Sequence, residues 1–423
     1  MATNFITTFF FCVLVFGTYG IMCQLVPGTY IFGDSLVDDG NNNYLSLSLA
    51  KADFPHNGVD FPTGKATGRF SNGKNAADFL ADKVGLPLAP PYLSLVSKSK
   101  KLSSTNAVVT GVNFASGGAG ILNGTDELFG HVSPVLTLST HPAVPVSSLE
   151  PGETPSPISP QHARPDKRTY IVIVSIFACV GPRNHLGPKQ SIPLTKQVGY
   201  YSLVHDELVK QMGSTGAHAH LSKSIFLIVI GSNDLFGYFN KDSKVSKQYT
   251  PQQYVDLMAS TLKGLMKQMY GMGARKFVIS GVGVIGCCPA QRKHNASSEC
   301  NDEVNYWSTK YNIGLKALLR ELKTESSDMH YSYFETYDVM NSLIQNPQSY
   351  GITEIKEACC GLGNLKADIP CTPISTYCSN RKNHLFWDLY HPTETISSLF
   401  AGFIYNGSQE VTNPMNVEEL IKV

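Results

Sequence analysis

Five short, densely apolar segments, separated by longer helical patterns, constrain the fold of this chain most strongly. They comprise residues 29–33, 111–115, 225–230, 276–280 and 330–334, and their β-branched and aromatic content is typical of parallel strands buried on both faces. Helical periodicity is visible in residues 76–84, 251–269 and 303–324, and another helix is expected after Pro392. This alternation predicts an α/β domain in which helices cover both faces of a mainly parallel, five-stranded sheet.

Composition and charge limit the classes of partner. The 423 residues include 34 Lys+Arg and 33 Asp+Glu, so the formal net charge is +1. Because no overall basic field exists, we expect no recruitment of nucleic acid or anionic membrane by charge alone. A partner must be recognised by a local site, and the sequence leaves the oligomeric state open.

The N-terminal segment has the features of a secretory signal. Residues 5–16 are almost wholly apolar, and small residues follow between 17 and 23. The apolar run is too short for a membrane span, and no later run reaches the required ~18 residues. We therefore predict a signal peptide at residues 1–23 and a secreted, extracellular single domain at 24–423 without stable membrane insertion. A buried amphipathic helix is the alternative, which the lack of a polar face disfavours.

Cysteine and sequon positions agree with export. Seven cysteines crowd into the C-terminal part: Cys287, Cys288, Cys300, Cys359, Cys360, Cys371 and Cys378. An oxidising compartment would cross-link several of them, although the sequence does not give the pairing. Zinc is the alternative, but adjacent cysteines do not easily face one metal, so we expect no metal site. Asn123, Asn295 and Asn406 head Asn-x-Ser/Thr sequons and are candidate N-glycosylation sites.

Residues suited to nucleophilic catalysis follow the predicted strands. Ser35 comes directly after the first strand, which would expose it at the carboxyl edge of the sheet. A serine hydroxyl needs a base that accepts its proton. Asp388 precedes His391 by three residues, a spacing that lets the carboxylate orient the imidazole as that base. We therefore predict Ser35, His391 and Asp388 as the catalytic residues.

Donors for an oxyanion follow two other strands. Asn233 lies after the third strand, and its side-chain amide can donate a hydrogen bond. The glycine-rich run at residues 113–120 follows the second strand, and its backbone N–H groups can approach a substrate closely. The residues that follow these three strands are thus expected at the same carboxyl edge of the sheet.

These blocks and their order resemble the GDSL esterase/lipase family, a branch of the SGNH hydrolases, and in detail its secreted plant members. The matching blocks are Gly33-Asp34-Ser35-Leu36, Gly117-Gly118, Gly231-Ser232-Asn233-Asp234 and Asp388-Leu389-Tyr390-His391. Residues 39–44, 67–74 and 358–361 support the resemblance, which runs from about residue 30 to the C-terminus apart from one insert. It implies a three-layer α/β/α, flavodoxin-like fold.

The resemblance also implies roles for individual residues. Ser35 would be the nucleophile and, through its own N–H, one oxyanion donor. Gly118, in preference to Gly117, would give a second N–H, and Asn233 would give a side-chain donor. His391 would act as base and then acid, oriented by Asp388. The expected activity is hydrolysis of carboxylic esters of lipid or cell-wall type in the cell wall or apoplast, with no cofactor.

Other readings of the sequence predict different functions. Transacylation, in which an alcohol replaces water, uses the same residues. A non-catalytic carbohydrate-binding relative would lack a catalytic residue, and none is missing. A dinucleotide-binding protein would use the glycines at 281, 283 and 286, but Cys-Cys-Pro follows them where a helix is required. His218 and His220 lie in a polar stretch without nearby carboxylates, so we interpret them as surface residues.

An insert at residues 130–188 interrupts the family pattern. Eight of the chain's 24 Pro lie between residues 133 and 165, among Ser, Thr and His without a hydrophobic period. Joining Phe129 to Lys189 would restore continuity with the family. We therefore hypothesise an unspliced intron translated in frame or an erroneous gene model, with a disordered surface lid as the alternative.

Overall fold

All five predicted strands form part of one central sheet. A computed structural model describes residues 24–96, 102, 106–125 and 191–423. The predicted signal peptide (1–23) and insert (130–188) lie outside these residues. The five strands are β1 (Thr29–Gly33), β2 (Gly111–Asn113), β3 (Ile225–Val229), β4 (Lys276–Ser280) and β5 (His330–Phe334).

The strand order of the sheet is that of flavodoxin-like folds. Four small strands follow β5, namely β6 (Glu354–Ala358), β7 (Cys360–Gly361), β8 (Thr376–Tyr377) and β9 (His384–Phe386), and the last is β10 (Thr412–Asn413). The central sheet runs β10-β5-β4-β3-β1-β2, with β1 to β5 parallel and β10 antiparallel to β5. The sheet therefore has one strand more than predicted, because the two residues of β10 are too few to show a strand pattern.

The described residues contain eleven helices. They are α1 (Ala76–Lys83), α2 (Tyr92–Val96), α3 (Ala107–Thr110), α4 (Leu194–Lys223), α5 (Ser232–Tyr238), α6 (Pro251–Gly271), α7 (Pro289–Arg292), α8 (Asp302–Glu325), α9 (Thr336–Gln345), α10 (Glu394–Asn406) and α11 (Val417–Leu420). Four of these, α1, α6, α8 and α10, were predicted. The long α4 was not, and it is interrupted at Gly213, where φ is 76°. Among the described residues, no helix is long and apolar enough to cross a membrane.

Alternate strand residues bury against two different helical layers. Tyr30, Phe32 and Phe226 share one core cluster with apolar residues of α4, α6 and α8. Ile31 and Leu227 share the other cluster with residues of α1, α9, α10 and α11. Successive side chains of a strand point to opposite faces, so a strand buried on both sides is apolar at most of its positions. This packing gives the three-layer α/β/α architecture.

A small cystine-rich region packs around Trp387. The pairs Cys359–Cys378 and Cys360–Cys371 lie next to the fully buried Trp387. The indole Nε1 donates to Asn57 Oδ1 at 2.9 Å. The third disulfide joins Cys287 to Cys300, and Cys288 is left as a buried thiol. The disulfides hold the chain close to Trp387, and hence to the residue that follows it, Asp388.

Candidate active site

Ser35 lies in the turn after β1, where the sheet reverses its direction of winding between β1 and β3. The Asp34 N–H donates to the carbonyl of Val229 at the end of β3 (3.1 Å). Gln197 of α4 clamps Gly33, accepting from its N–H at 2.9 Å and donating to its carbonyl at 2.8 Å. The serine is thus fixed at the carboxyl edge of the sheet, where α/β folds bind their ligands.

Asp388 and His391 occupy a tight turn after β9. Asp388 Oδ1 accepts the N–H groups of Tyr390 and His391, both at 3.0 Å. The Trp387 N–H donates to the carbonyl of His391 at 2.7 Å and closes the turn. An Asp side chain that binds the backbone two and three residues ahead is a turn-forming arrangement, and here it brings the carboxylate beside the imidazole.

Ser35, His391 and Asp388 form a continuous chain of hydrogen bonds. His391 Nε2 lies 2.7 Å from Ser35 Oγ, and Nδ1 lies 2.7 Å from Asp388 Oδ1 and 2.9 Å from Oδ2. Asp388 and His391 are each only 8% exposed, whereas Ser35 is partly exposed. With the Nδ1 proton directed to Asp388, Nε2 is free to accept the Ser35 proton, which is the arrangement of a catalytic triad.

The surroundings of Asp388 keep it ionised. Burial alone would raise the pKa of its carboxyl group. The positive charge available on His391, the hydrogen bond from that ring and the N–H groups of Tyr390 and His391 outweigh burial, so the pKa lies below its ordinary value. A fixed negative charge therefore faces Nδ1, and it would stabilise the imidazolium ion that forms when His391 takes a proton.

The two adjacent glycines have different hydrogen-bonding roles. The Gly117 N–H donates to Asp38 Oδ2 at 2.9 Å. The N–H groups of Gly118 and Ser35 have no acceptor within the described part of the chain. Gly118 is partly exposed and has φ of +80°, a conformation that favours glycine. Of the two glycines, Gly118 is the one whose N–H is left to bind a ligand.

Buried polar side chains brace this glycine turn. Asp38 also accepts the N–H groups of Gly40 and Asn41, both at 2.8 Å, and burial raises the pKa of its carboxyl group to about 6. Asn42 Nδ2 donates to the Gly117 carbonyl at 2.8 Å. The turn is therefore held from both its N–H and its carbonyl side before any substrate arrives, as electrostatic preorganisation requires.

Asn233 reaches the same turn from the first turn of α5, the helix that follows β3. Its Nδ2 donates to the Ala119 carbonyl at 2.8 Å, which leaves the second N–H of the amide for another acceptor. Asp234, the next residue, accepts the N–H groups of Ile121 and Leu122 at 2.9 and 3.1 Å, and burial raises its pKa to about 6. Direct hydrogen bonds join the three catalytic candidates, whereas Asn233 is linked to the Gly118 turn through Ala119.

Four supporting residues were not assigned a role from the sequence. Asp38, Asn42, Gln197 and Asp234 hold the turns that carry Ser35 and Gly118. For Asn42 and Asp234 the sequence contained a signal, because both residues lie inside motifs of the family. Their partners are separated from them by 75 and 113 positions, so only the folded chain reveals what they bind.

The glycines at 281, 283 and 286 have a packing role. A Cβ on Gly281 would lie 2.3 Å from the Tyr333 hydroxyl, one on Gly283 2.3 Å from Met340 Sδ, and one on Gly286 2.1 Å from the Asn301 carbonyl oxygen. A short 3₁₀ turn at Ile285–Cys287 includes Gly286. These close approaches explain the glycines without a nucleotide.

The two histidines of the polar stretch lie in α4. His220 Nε2 is 3.2 Å from the Tyr30 hydroxyl, and His218 Nε2 is 3.4 Å from an Arg275 guanidinium nitrogen. His218 is exposed, whereas His220 is partly exposed because its ring packs against Tyr30. Among the described residues, no group of three or more His, Cys, Asp or Glu side chains is arranged to hold a metal ion.

Comparison with known proteins decides the family. The sequence profile of the GDSL-like lipase/acylhydrolases matches residues 30–403. The chain belongs to this family. The family and the α/β fold predicted from the sequence motifs are thereby confirmed, and the GDSL chain described here is a carboxylic ester hydrolase.

Similar proteins occur in a plant. GDSL esterase/lipase At5g55050 of Arabidopsis thaliana is 42% identical over 399 residues, which cover 94% of this chain and 90% of that protein. GDSL esterase/lipase At3g50400 of the same plant is 34% identical over 408 residues, covering 94% of this chain and 91% of that protein. The similarity therefore extends over nearly the whole length of both relatives.

Proposed function

We propose that the protein is a secreted serine hydrolase that cleaves carboxylic esters through an acyl-enzyme on Ser35. The observation that carries this proposal is the unbroken chain of hydrogen bonds from Ser35 Oγ through His391 to Asp388. Ester hydrolysis as such follows from the family, whereas the covalent route is proposed from the geometry of these side chains.

Acylation begins when Ser35 Oγ attacks the carbonyl carbon of the ester. The Oγ proton passes to His391 Nε2, and the imidazolium is stabilised by the Asp388 carboxylate. The tetrahedral intermediate then collapses: the bond to the alcohol oxygen breaks, and His391 returns its proton to that oxygen. The products of this half-reaction are a free alcohol and an ester on Ser35.

Three donors support the negative oxygen of the intermediate. The N–H groups of Ser35 and Gly118 have no acceptor within the described part of the chain, and Asn233 retains one amide proton after binding Ala119. We assign these three groups to the oxyanion hole. Donors fixed in advance stabilise developing charge without reorganising at the moment of reaction.

Deacylation repeats these steps with water as the nucleophile. His391 takes a proton from water, the hydroxide attacks the acyl carbon, and the proton returns to Ser35 Oγ as the acid leaves. His391 thus acts as the base in both half-reactions. The route requires neither metal nor organic cofactor.

Hydrolysis of p-nitrophenyl esters by the secreted protein and by Ser35→Ala tests the proposal. We expect the variant to lose nearly all activity toward every ester of a panel from acetate to octanoate. Ser327→Ala is the matched control, since Ser327 is exposed on the loop after α8 and should retain wild-type rates. Equal rates for Ser35→Ala and the wild-type protein would reject the mechanism.

Secretion is supported by three independent features. The N-terminal apolar segment resembles a signal peptide, and three disulfides link six of the C-terminal cysteines. Disulfides of this kind persist in oxidising compartments such as the cell exterior. The sequon residues Asn123, Asn295 and Asn406 are all exposed, as acceptors of N-linked glycans must be. We propose that these asparagines carry N-linked glycans and that the mature protein acts in the cell wall or apoplast.

We also propose that residues 130–188 are foreign to the functional domain. Segments on the two sides of the insert contact each other: the Ile192 N–H donates to Ser116 Oγ at 2.9 Å, and the Leu194 N–H donates to the Gly120 carbonyl at 3.0 Å. Thr195 and Asn123 are also hydrogen-bonded through their side chains. The short connection formed by joining Phe129 to Lys189 therefore has only to link segments that already touch.

A further inference from the structure

The loop at residues 45–50 exposes apolar side chains beside the glycine turn of the site. Leu47 is 61% exposed and Leu49 is 66% exposed, and Tyr44 just before the loop is 47% exposed. Ser48, between the two leucines, is buried. This is the reverse of the usual distribution, in which leucine is buried and serine exposed. Exposed apolar clusters of this kind mark binding surfaces.

Hydrogen bonds hold the loop in this inverted arrangement. The Ser48 N–H donates to the Leu45 carbonyl at 3.2 Å, and the Leu45 N–H donates to the Asn42 carbonyl at 3.1 Å. Asn42 Nδ2 donates to the Ala50 carbonyl at 2.6 Å. The leucines thus point outward from a fixed backbone.

The same asparagine ties the loop to the oxyanion turn. Besides Ala50, Asn42 Nδ2 binds the Gly117 carbonyl at 2.8 Å. The Ala50 Cβ lies 3.8 Å from the position that a Cβ on Gly118 would occupy. The C-terminal end of the apolar loop therefore lies next to Gly118, whose N–H we assign to the ester carbonyl oxygen.

We infer that Leu47 and Leu49 bind the acyl chain of the substrate, so that the preferred esters carry extended aliphatic acyl groups. This inference rests on the proposed function. The departing alcohol must lie near His391 Nε2, which protonates it, so the acyl group is the substituent left to extend past Gly118 along the loop. No charged residue occurs between Asp39 and Lys51, which suits an uncharged hydrocarbon chain.

Chain-length dependence tests this inference. p-Nitrophenyl acetate, butyrate and octanoate share one leaving group and would be used below their micelle concentrations. We expect kcat/KM of the wild-type protein to rise with acyl length. Leu47→Ser/Leu49→Ser should lower kcat/KM for the octanoate about tenfold or more, because a few methylene contacts in an apolar site give factors of this size, and leave the acetate within about twofold.

A matched control uses exposed aliphatic residues elsewhere. Leu203→Ser/Ile313→Ser replaces side chains that are 51% and 55% exposed on α4 and α8, and should leave the chain-length profile unchanged. A second pair of substrates, octyl acetate and ethyl octanoate, separates the two sides of the ester. Loss on octyl acetate in place of ethyl octanoate would overturn the acyl assignment.

Failure of the inference is distinguishable from failure of the proposed function. If the acetate is cleaved in a Ser35-dependent way but Leu47→Ser/Leu49→Ser keeps the wild-type length profile, the acyl site is wrong and the mechanism stands. A defect seen only above the micelle concentration would assign the loop to binding a lipid surface and would also overturn the acyl site. If Ser35→Ala retains full activity, the proposed function falls, and the inference falls with it.

Discussion

The phenyl ring of Phe70 lies against the imidazole of His391, with ring centroids 5.0 Å apart and 34° between their planes. The same ring fills the space beside Gly117, where a Cβ would approach Phe70 Cζ to 2.6 Å. One side chain therefore lies against both His391 and the glycine turn, which are the base and the oxyanion turn of the proposed mechanism. Its position also explains why Gly117 is a glycine although its N–H is directed to Asp38.

Phe70→Leu should lower kcat with little change in KM. Leucine keeps much of the apolar volume but removes the aromatic face that attracts the imidazolium formed during reaction. Cation–π contacts contribute about 0.5–2 kcal/mol, so we expect kcat to fall by about 2- to 30-fold. Steady-state kinetics with p-nitrophenyl acetate measure the effect. Phe79→Leu, on α1 and near Lys74, is the control, and an equal loss in both variants would argue against a specific contact.

Asn233→Ala should remove one oxyanion donor. Loss of such a donor costs about 10²–10³ in kcat, and KM should change little because the charge develops only in the transition state. Ser232→Ala alters the preceding side chain of the same turn and should keep the wild-type kcat. A wild-type kcat in Asn233→Ala, with unchanged melting temperature, would remove Asn233 from the oxyanion hole.

Asp34 should make the folded protein lose stability as pH rises. Its carboxyl group is buried, one oxygen accepts from the Leu36 N–H at 3.0 Å, and the other has no partner within the described part of the chain. Burial raises its pKa to about 7, although the Leu36 N–H and the charge of His391 lower it in part. Between pH ~4 and ~7 the folded state holds a proton that the unfolded chain has lost. Stability should therefore fall across this window by up to about 1.4 kcal/mol per pH unit.

Urea unfolding of Asp34→Asn across this pH range checks the sign. Asparagine keeps an acceptor for Leu36 but cannot titrate, so the free energy of unfolding should decline less steeply with pH than in the wild-type protein. Asp206→Asn, an exposed substitution on α4, is the control and should leave the slope unchanged. If Asp34→Asn had the wild-type slope, or a steeper decline, Asp34 would not hold the proton.

Deletion of residues 130–188 should leave a folded, active enzyme. The segments that flank the deletion already contact each other through Ser116 and Ile192, so the shortened chain need not rearrange the sheet. We expect cooperative melting and Ser35-dependent ester hydrolysis at least equal to those of the full chain. A deletion variant that fails to fold would show that the insert belongs to the domain. A dominant mature transcript that encodes the insert would separately contradict its origin as an intron or gene-model error.

Much of the fold and of the candidate site could be predicted, because the sequence signals for them are local. The strands β1, β3, β4 and β5 are short segments rich in apolar and aromatic residues, and Ser35, Asn233 and His391 follow recognisable segments of chain. The Asp388–His391 relation was also accessible, since three positions separate the two residues and the turn between them is closed by their own backbone. Where the interacting residues lie within a few positions of each other, the sequence pattern is informative.

Features that depend on distant contacts were not predictable. The helix α4 carries a glycine in a non-helical conformation at Gly213 and weak amphipathic character, so packing against the sheet stabilises it more than local pattern does. The bracing by Asn42 and Gln197 depends on partners 75 and 164 positions away. Phe70 is a similar case, because its contact with the His391 ring forms only in the folded chain.

Covalent labelling of Ser35 tests the central claim most directly. The purified protein would be treated with a fluorophosphonate, which modifies activated serine hydroxyls, and the adduct would be located by peptide mass spectrometry. We predict one adduct per chain, on the peptide that contains Ser35, with loss of ester hydrolysis in proportion to labelling and no adduct in Ser35→Ala. An adduct on another residue, or full activity in protein completely labelled at Ser35, would contradict an acyl-enzyme at Ser35.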